Sequence, residues 1–315
     1  MTDKASMRIA YGKALAAYGA ENPDVVVLDA DVSKSTQTHY FAARFPERFF
    51  NLGVAEAGML DTAVGFALGG KIPFVNTFAF LLSLRCAEQV RTCVAYARTN
   101  VKLIGAYAGL SDAFDGPTHH AIVDVAVLRS MPNVTVLVAA DAVEAAKLVP
   151  VVAEYDGPVY LRVSRAEVPT VFDGNYQPQI GKGTLLRAGE DVTLIACGVM
   201  VARTLEAAER LSKKGINARV LAMASLKPPD REMILASAAD SRAIVTAEEH
   251  SVIGGLGSAV AELLAGEQPV PVVRVGIPDT FTETGPYEAL LDRYGMSVEA
   301  IVSAALRAVQ LRSYY

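Results

Sequence analysis

The sequence predicts an α/β fold: two consecutive three-layer α/β domains with mainly parallel sheets. Short, continuous apolar runs rich in β-branched residues recur along the chain, which is the pattern of strands covered on both faces. Stretches of helical periodicity separate them, so right-handed crossovers between parallel strands follow. The rhythm lapses once, over 167–190, where Pro169, Gly174, Asn175, Pro178, Gly181, Gly183 and Gly189 are spread without a helical pattern. At 315 residues the chain can bury a core on either side of that lapse. The expected domains are therefore 1–170 and 191–315, joined by a linker at 171–190 that holds an edge strand or two.

Taken in order, a helix over 6–20, with Ala10, Ala14, Leu15 and Ala17 among its buried residues, leads to the apolar run Val25-Val26-Val27-Leu28. A polar loop holding Asp31, Ser33, Lys34, Ser35 and Thr36 follows at once. Further strands are expected at Ile72–Val75, Val101–Ile104, Val134–Val138 and Val159–Val163, with helices over 83–97, 121–130 and 142–154 between them. After the linker, strands fall at Val192–Ile195, Ala218–Met223, Ala243–Thr246 and Val270–Val275. Helices are expected over 200–214, from Pro228-Pro229, from Gly257 to Leu264, and over 286–293 and 297–310.

The chain is 52% hydrophobic and 20% charged, a composition suited to a globular protein with a large buried fraction. A net charge of −5 and the lack of a basic block argue against a nucleic-acid surface. Cys86, Cys93 and Cys197 have neither metal spacing nor an even disulfide framework, and read as core thiols in a reducing compartment. The first residues lead into no signal-like apolar run, and no run of 18 apolar residues occurs, so no membrane span and a cytoplasmic location are expected.

Two stretches carry chemistry. In Asn51-Leu52-Gly53-Val54-Ala55-Glu56-Ala57-Gly58-Met59-Leu60, a single carboxylate opens an otherwise apolar helix. Leu60, Ala63 and Ala67 share the face of Glu56, whereas Asp61 points about 140° away. A lone acid on an apolar face is costly unless something binds it; the plainer alternative is a first-turn glutamate favoured by the helix dipole. The second stretch is Asp115-Gly116-Pro117-Thr118-His119-His120, a tight turn beyond the carboxyl end of an expected strand. Ligands bind at such edges in open α/β sheets, and Asp115 and His119 together could bond a polyol or move protons. Phe78 and Phe80 also follow a strand, as pocket lining or core. Arg8, Ser35 and Arg165 could jointly hold a phosphate or another anion. The Gly254-Gly255-Leu256-Gly257 turn lacks nucleotide-binding spacing and reads as close helix–strand packing.

Gly53-Val54-Ala55-Glu56-Ala57-Gly58-Met59, Thr77-Phe78 and Asp115-Gly116-Pro117-Thr118-His119, in that order, resemble the pyrimidine-binding domain of transketolases. Lys227-Pro228-Pro229-Asp230, Glu248-Glu249-His250, Gly254-Gly255-Leu256-Gly257 and Asp279-Thr280-Phe281 are similar to the transketolase C-terminal domain. Family members bind thiamine diphosphate through Mg²⁺ held by a Gly-Asp-Gly…Asn motif in an N-terminal domain, and no Gly-Asp-Gly occurs in this chain. The resemblance therefore implies the second subunit of a split transketolase. Its partner, an N-terminal transketolase subunit, would carry the diphosphate and Mg²⁺ site, in an α2β2 heterotetramer acting on a sugar.

The resemblance also implies roles. Glu56 would hydrogen-bond the aminopyrimidine in a dry site and so activate the cofactor, which carries the hard chemistry of two-carbon ketol transfer from a ketose, expected to be a phosphate, to an aldose. Glu56 and His119 are the expected catalytic residues. Asp31, Phe78, Phe80 and Leu81 would contact the cofactor; Asp115, His119, Arg8, Ser35, Arg165 and Tyr107 would contact the substrate. The sequence departs from the family at Ala55 and Ala57, where Arg and His usually flank the glutamate. It departs again at Leu81, where a ring is usual, and at Tyr107, where a phosphate-binding histidine is usual. The rival readings are the beta subunit of a 2-oxoacid dehydrogenase, which shares the fold and the glutamate, and a non-catalytic scaffold subunit. The Asp-Gly-Pro-Thr-His turn counts against the first, and the joint presence of Glu56, Asp115 and His119 against the second.

Overall fold

The computed structural model describes residues 3–314. In chain order its strands are β1 (Lys4–Ser6), β2 (Val25–Asp29), β3 (Phe49–Asn51), β4 (Ile72–Phe78) and β5 (Lys102–Ala106). Next come β6 (Thr135–Val138), β7 (Val159–Arg162), β8 (Glu167–Pro169), β9 (Thr184–Arg187) and β10 (Val192–Ala196). The last are β11 (Ala218–Ala222), β12 (Ser225–Lys227), β13 (Ile244–Ser251) and β14 (Val272–Ile277). Two sheets dominate. One has the order β12-β6-β7-β5-β4-β2-β3 and is parallel except for β12; the other, β14-β13-β10-β11-β9, is parallel except for β9. The fold is thus α/β in two mainly parallel sheets, as the apolar runs predict. Residues of β2, β5, β6, β7 and β10 are buried throughout, which is why these strands lack the alternation of a half-exposed sheet.

The differences from expectation have local causes. In the helix Met7–Glu21 the core face is Met7, Tyr11 and Leu15, spaced by four, with Ala16; Ala10 and Ala14 are half-buried and Ala17 is exposed on the far side. The helix expected over 83–97 opens into wide five-residue turns over Leu81–Arg85 and Val90–Tyr96, as in the bond from Cys86 N to Leu81 O at 3.2 Å. Pro228 and Pro229 precede a helix rather than open it: Arg231–Ser241 starts where the Asp230 side chain accepts from Met233 N. Lys227 lies in β12, which adds an antiparallel edge from the second half of the chain to the first sheet, against β6. Among the described residues, no helix is long and apolar enough to cross a membrane.

The two halves are joined by buried charge. Arg162, at the end of β7, donates from Nε to Asp124 Oδ2 at 2.7 Å and from Nη2 to the carbonyls of Ala121 and Glu249 at 2.9 and 3.0 Å. Tyr160 donates to the same Asp124 oxygen at 2.6 Å. Glu249, on β13, accepts from Leu110 N at 2.8 Å, in the loop after β5. Gly109 makes that contact possible: it has φ +61°, and a Cβ there would stand 2.2 Å from the Glu249 carboxyl carbon. The second half of the chain thereby supports the loop that carries Tyr107, Asp115 and His119.

Candidate active site

Because β2, β3, β4, β5 and β7 run parallel, their carboxyl ends lie on one edge of the first sheet. Every residue expected to contact cofactor or substrate lies at a strand end on that edge or in the loop or helix beyond it, except Arg8, which lies in the first turn of Met7–Glu21. Ligand sites of open α/β sheets occupy this place.

Glu56 is the first residue of the helix Glu56–Leu68 and is only 2% exposed. Met59, Leu60 and Ala63 are buried with it, while Asp61 is exposed, as the helical spacing predicts. The residue is therefore not a solvated first-turn acid. Its hydrogen-bond partner is Arg85, whose Nη1 donates to Oε2 at 2.9 Å from a side chain that is 54% exposed. Sequence reading missed Arg85. The available signal was its isolation: it is the one charged residue between Lys71 and Glu88.

A continuous run of contacts joins most of the other expected residues. The His119 and Phe80 rings lie 5.0 Å apart, Phe80 and Phe78 6.4 Å, and Phe78 and Tyr107 4.5 Å. The guanidiniums of Arg8 and Arg165 both pack on the Tyr107 ring, at 4.9 and 4.8 Å from its centroid. Arg8 Nη1 also donates to the Ser35 carbonyl at 2.5 Å and to Tyr107 Oη at 3.3 Å. Ser35 thus meets Arg8 through its backbone, in a short helix organised by the buried Asp29, which accepts from Val32 N, Thr36 Oγ1 and Thr38 Oγ1. Burial, with Arg165 beside it, lowers the Arg8 pKa from its ordinary value. Tyr107 has φ +59°, a left-handed conformation uncommon for a bulky side chain.

His119 presents Nδ1 to Thr118 Oγ1 at 3.0 Å, and Nε2 has no hydrogen-bond partner among the described residues. The neighbouring His120 is structural: it is buried and its Nδ1 lies 2.6 Å from Thr282 Oγ1, tying the loop to the second half of the chain. Gly116, φ +83°, turns that loop where a Cβ would stand 2.4 Å from Thr284 Oγ1. Asp115 is exposed, with Oδ2 3.7 Å from Arg165 Nη1.

Besides Glu56, two expected residues stand outside the run. Asp31, φ +64°, is exposed and accepts from Asn51 Nδ2 at 2.8 Å, which links the loop after β2 to the stretch leading to Glu56. Leu81 is half-buried at the start of the wide-turn segment. A second residue missed from sequence is Asp112. It is wholly buried, and its Oδ1 lies 2.5 Å from Arg165 Nη1. Nothing in Ser111-Asp112-Ala113 announces this, because the contact depends on β5 and β7 being neighbours.

Comparison with known proteins extends the picture. Residues 3–170 match the pyrimidine binding domain of transketolase, and residues 181–301 its C-terminal domain. A protein of Methanocaldococcus jannaschii described as a putative transketolase C-terminal section is 41% identical over 307 residues, covering 96% of either chain. A 6-deoxy-6-sulfo-D-fructose transketolase subunit from a Clostridium species is 40% identical, over 98% of this chain and 96% of its own. A solved structure described as a split gene transketolase, inactive beta4 tetramer, superposes with a TM-score of 0.90 at 48% identity, over 98% of this chain and 100% of that one.

Proposed function

The chain belongs to the transketolase family, and from that premise we propose that it is the C-terminal subunit of a split, thiamine diphosphate-dependent transketolase. The carrying observation is Glu56: a buried carboxylate at the carboxyl edge of the first sheet whose one hydrogen-bond partner among the described residues is the tip of a half-exposed arginine. The residues present fit the pyrimidine half of the cofactor. Glu56 offers a carboxyl group to a ring nitrogen, and Phe78, Phe80 and Leu81, at the end of β4 and just beyond it, offer apolar surface on the same edge. The chain contains no Gly-Asp-Gly, which supports placing the diphosphate and its Mg²⁺ on an N-terminal partner subunit. A partner surface is also supported by apolar residues left exposed beside the site: Val54 ahead of Glu56, Leu84 ahead of Arg85 and Phe114 ahead of Asp115. We assign the pair to a cytoplasmic α2β2 tetramer in which Asp31 faces the cofactor between subunits.

When bound, thiamine diphosphate supplies the nucleophilic carbon on which a two-carbon ketol unit passes between sugars. One carbon–carbon bond of the ketose breaks and one forms to the acceptor aldose, with no net redox change. Glu56 holds a proton at the aminopyrimidine ring nitrogen, in a setting dried by Met59, Leu60 and Ala63. His119 Nε2 moves a proton at a sugar hydroxyl, and Asp115 orients the sugar chain. Arg8, Ser35, Tyr107 and Arg165 hold the far end of the sugar.

The test is reconstitution. The lone chain and the chain mixed with a Gly-Asp-Gly partner encoded beside it are assayed with fructose-based donors that differ only at C6, as phosphate ester, sulfonate or free hydroxyl. Turnover by the mixture alone is expected; comparable turnover by the lone chain overturns the split-enzyme reading.

A further inference from the structure

The cluster of Arg8, Tyr107 and Arg165 contains two cations, yet it is not a strongly positive site. Arg165 Nη1 lies between two carboxylates, 2.5 Å from Asp112 Oδ1 and 3.7 Å from Asp115 Oδ2. The set of Arg8, Arg165, Asp112 and Asp115 is therefore close to neutral when both acids are ionised. Asp112 is also not held by its surroundings as a turn-forming aspartate would be. The turn is made by its backbone carbonyl, which accepts from Asp115 N at 3.1 Å and Gly116 N at 3.3 Å. Its side chain is wholly buried, and no hydrogen-bond donor among the described residues reaches Oδ2. Burial first, then the adjacent Asp115, pushes the Asp112 carboxyl up to about 6 despite the pull of Arg165. A buried carboxylate with one oxygen unsatisfied is costly to the fold; what it does hold is one guanidinium of the pocket.

We propose that Asp112 is a specificity-determining residue, which occupies Arg165 and so makes this pocket select sugars whose far end bears one negative charge or none over phosphate esters. The inference rests on the reading that Arg8, Ser35, Tyr107 and Arg165 hold the far end of the substrate. A phosphate ester, close to a dianion at neutral pH, must compete with Asp112 for Arg165 and then lie beside a second carboxylate. A sulfonate or a hydroxyl can use Arg8, the Tyr107 hydroxyl and the outer nitrogens of Arg165 without displacing Asp112. Asp112 touches no reacting atom and acts through Arg165, so it is a positioning residue.

The assembled two-subunit enzyme is assayed with the three C6 donors at a fixed acceptor concentration. Wild-type kcat/KM is expected to favour the sulfonate or hydroxyl donor over the phosphate by about tenfold or more, and D112N to move that ratio toward phosphate by about 10–100-fold, mainly through KM, as expected for an interaction with a charged group. A wild-type preference for phosphate, or a ratio unmoved in D112N, overturns the proposal. Should D112N fail to assemble, the wild-type ranking and D112S decide in the same way. Calorimetric titration of inorganic sulfate, a dianion with no sugar attached, gives a readout independent of turnover: D112N is expected to bind it about tenfold more tightly than wild type, and equal affinities contradict the proposal. Arg165→Gln separates the two layers of argument. If it alters KM for neither charged donor, the pocket reading itself fails. If it raises KM for both while D112N leaves the ratio alone, the Asp112 inference fails by itself.

Discussion

Glu56 and Asp124 are both buried acids at the first position of a helix, and each is paired with an arginine. The arginines differ. Arg162 is 5% exposed, meets Asp124 through two nitrogens and spends its remaining capacity on the carbonyls of Ala121 and Glu249. Arg85 is 54% exposed and reaches Glu56 through one. Around Asp124, burial would raise the carboxyl pKa, but Arg162, His250 and the Tyr160 hydroxyl together outweigh it and hold the group below its usual range. One acid belongs to a completed joint between the two halves of the chain. The other is held by a single arginine nitrogen among the described residues. Burial is therefore common to both acids, and the completeness of their coordination is what separates them.

The largest expected effect breaks the comparison on the functional side. Glu56→Gln in the assembled enzyme should lower kcat by on the order of 10²–10⁴-fold while circular dichroism and subunit assembly remain those of wild type. Near-normal turnover would return Glu56 to the role of a helix-terminus residue. The structural side comes next. Arg162→Ala leaves Asp124 buried without its cation, so the chain should lose about 3–5 kcal/mol in denaturant titration; a loss under 1 kcal/mol would mean that the joint is not the keystone it looks.

A pH effect sharpens the joint. Burial pushes Glu249 up to about 7, against the pull of Arg162 and Leu110 N. Its folded pKa thus exceeds the unfolded value of about 4.3, so the folded state binds the proton more tightly. That stabilisation is complete below the unfolded pKa and is lost as pH rises through 7. Lys102, buried and lowered to about 7, acts in the opposite direction, so wild type must be compared with Glu249→Gln. Between pH 6 and 8.5 the difference in stability should change by on the order of 1–3 kcal/mol, with the glutamine variant gaining relative to wild type as pH rises; a constant difference would contradict the assignment. The smallest effect is expected at Arg85. Its exposure discounts the ion pair, and Arg85→Ala should cost the fold less than about 1 kcal/mol. A cost matching that of Arg162→Ala would erase the contrast between the two acids.

How much of this was legible in the sequence depends on range. Val25–Leu28 and Val192–Ile195 announced strands because a doubly covered strand is apolar at every position, a local property. The strands β1, β3 and β12, three residues each, have no such pattern, and β12 exists only because β6 offers an edge to pair with. The wide turns over 81–96 could not be told from the ordinary helix expected over 83–97, because they differ only in which backbone carbonyl each N–H reaches. At the site, Glu56 was visible as an acid on an apolar face, and Asp115 and His119 as polar residues crowded on a Gly-Pro turn. Arg8, Tyr107 and Arg165 are brought together by the order of the sheet, and the pairing of Asp112 with Arg165 needs that order to be known.

On the proposed reading, this chain holds half of a cofactor site that includes Glu56. Calorimetric titration of thiamine diphosphate with Mg²⁺ tests it most directly, using the lone chain, the chain with its Gly-Asp-Gly partner, and the same pair carrying Glu56→Gln. Tight saturable binding only by the wild-type pair, weakened in the Glu56→Gln pair and weak or absent in the lone chain, is the predicted result. Equally tight binding by the lone chain would contradict it.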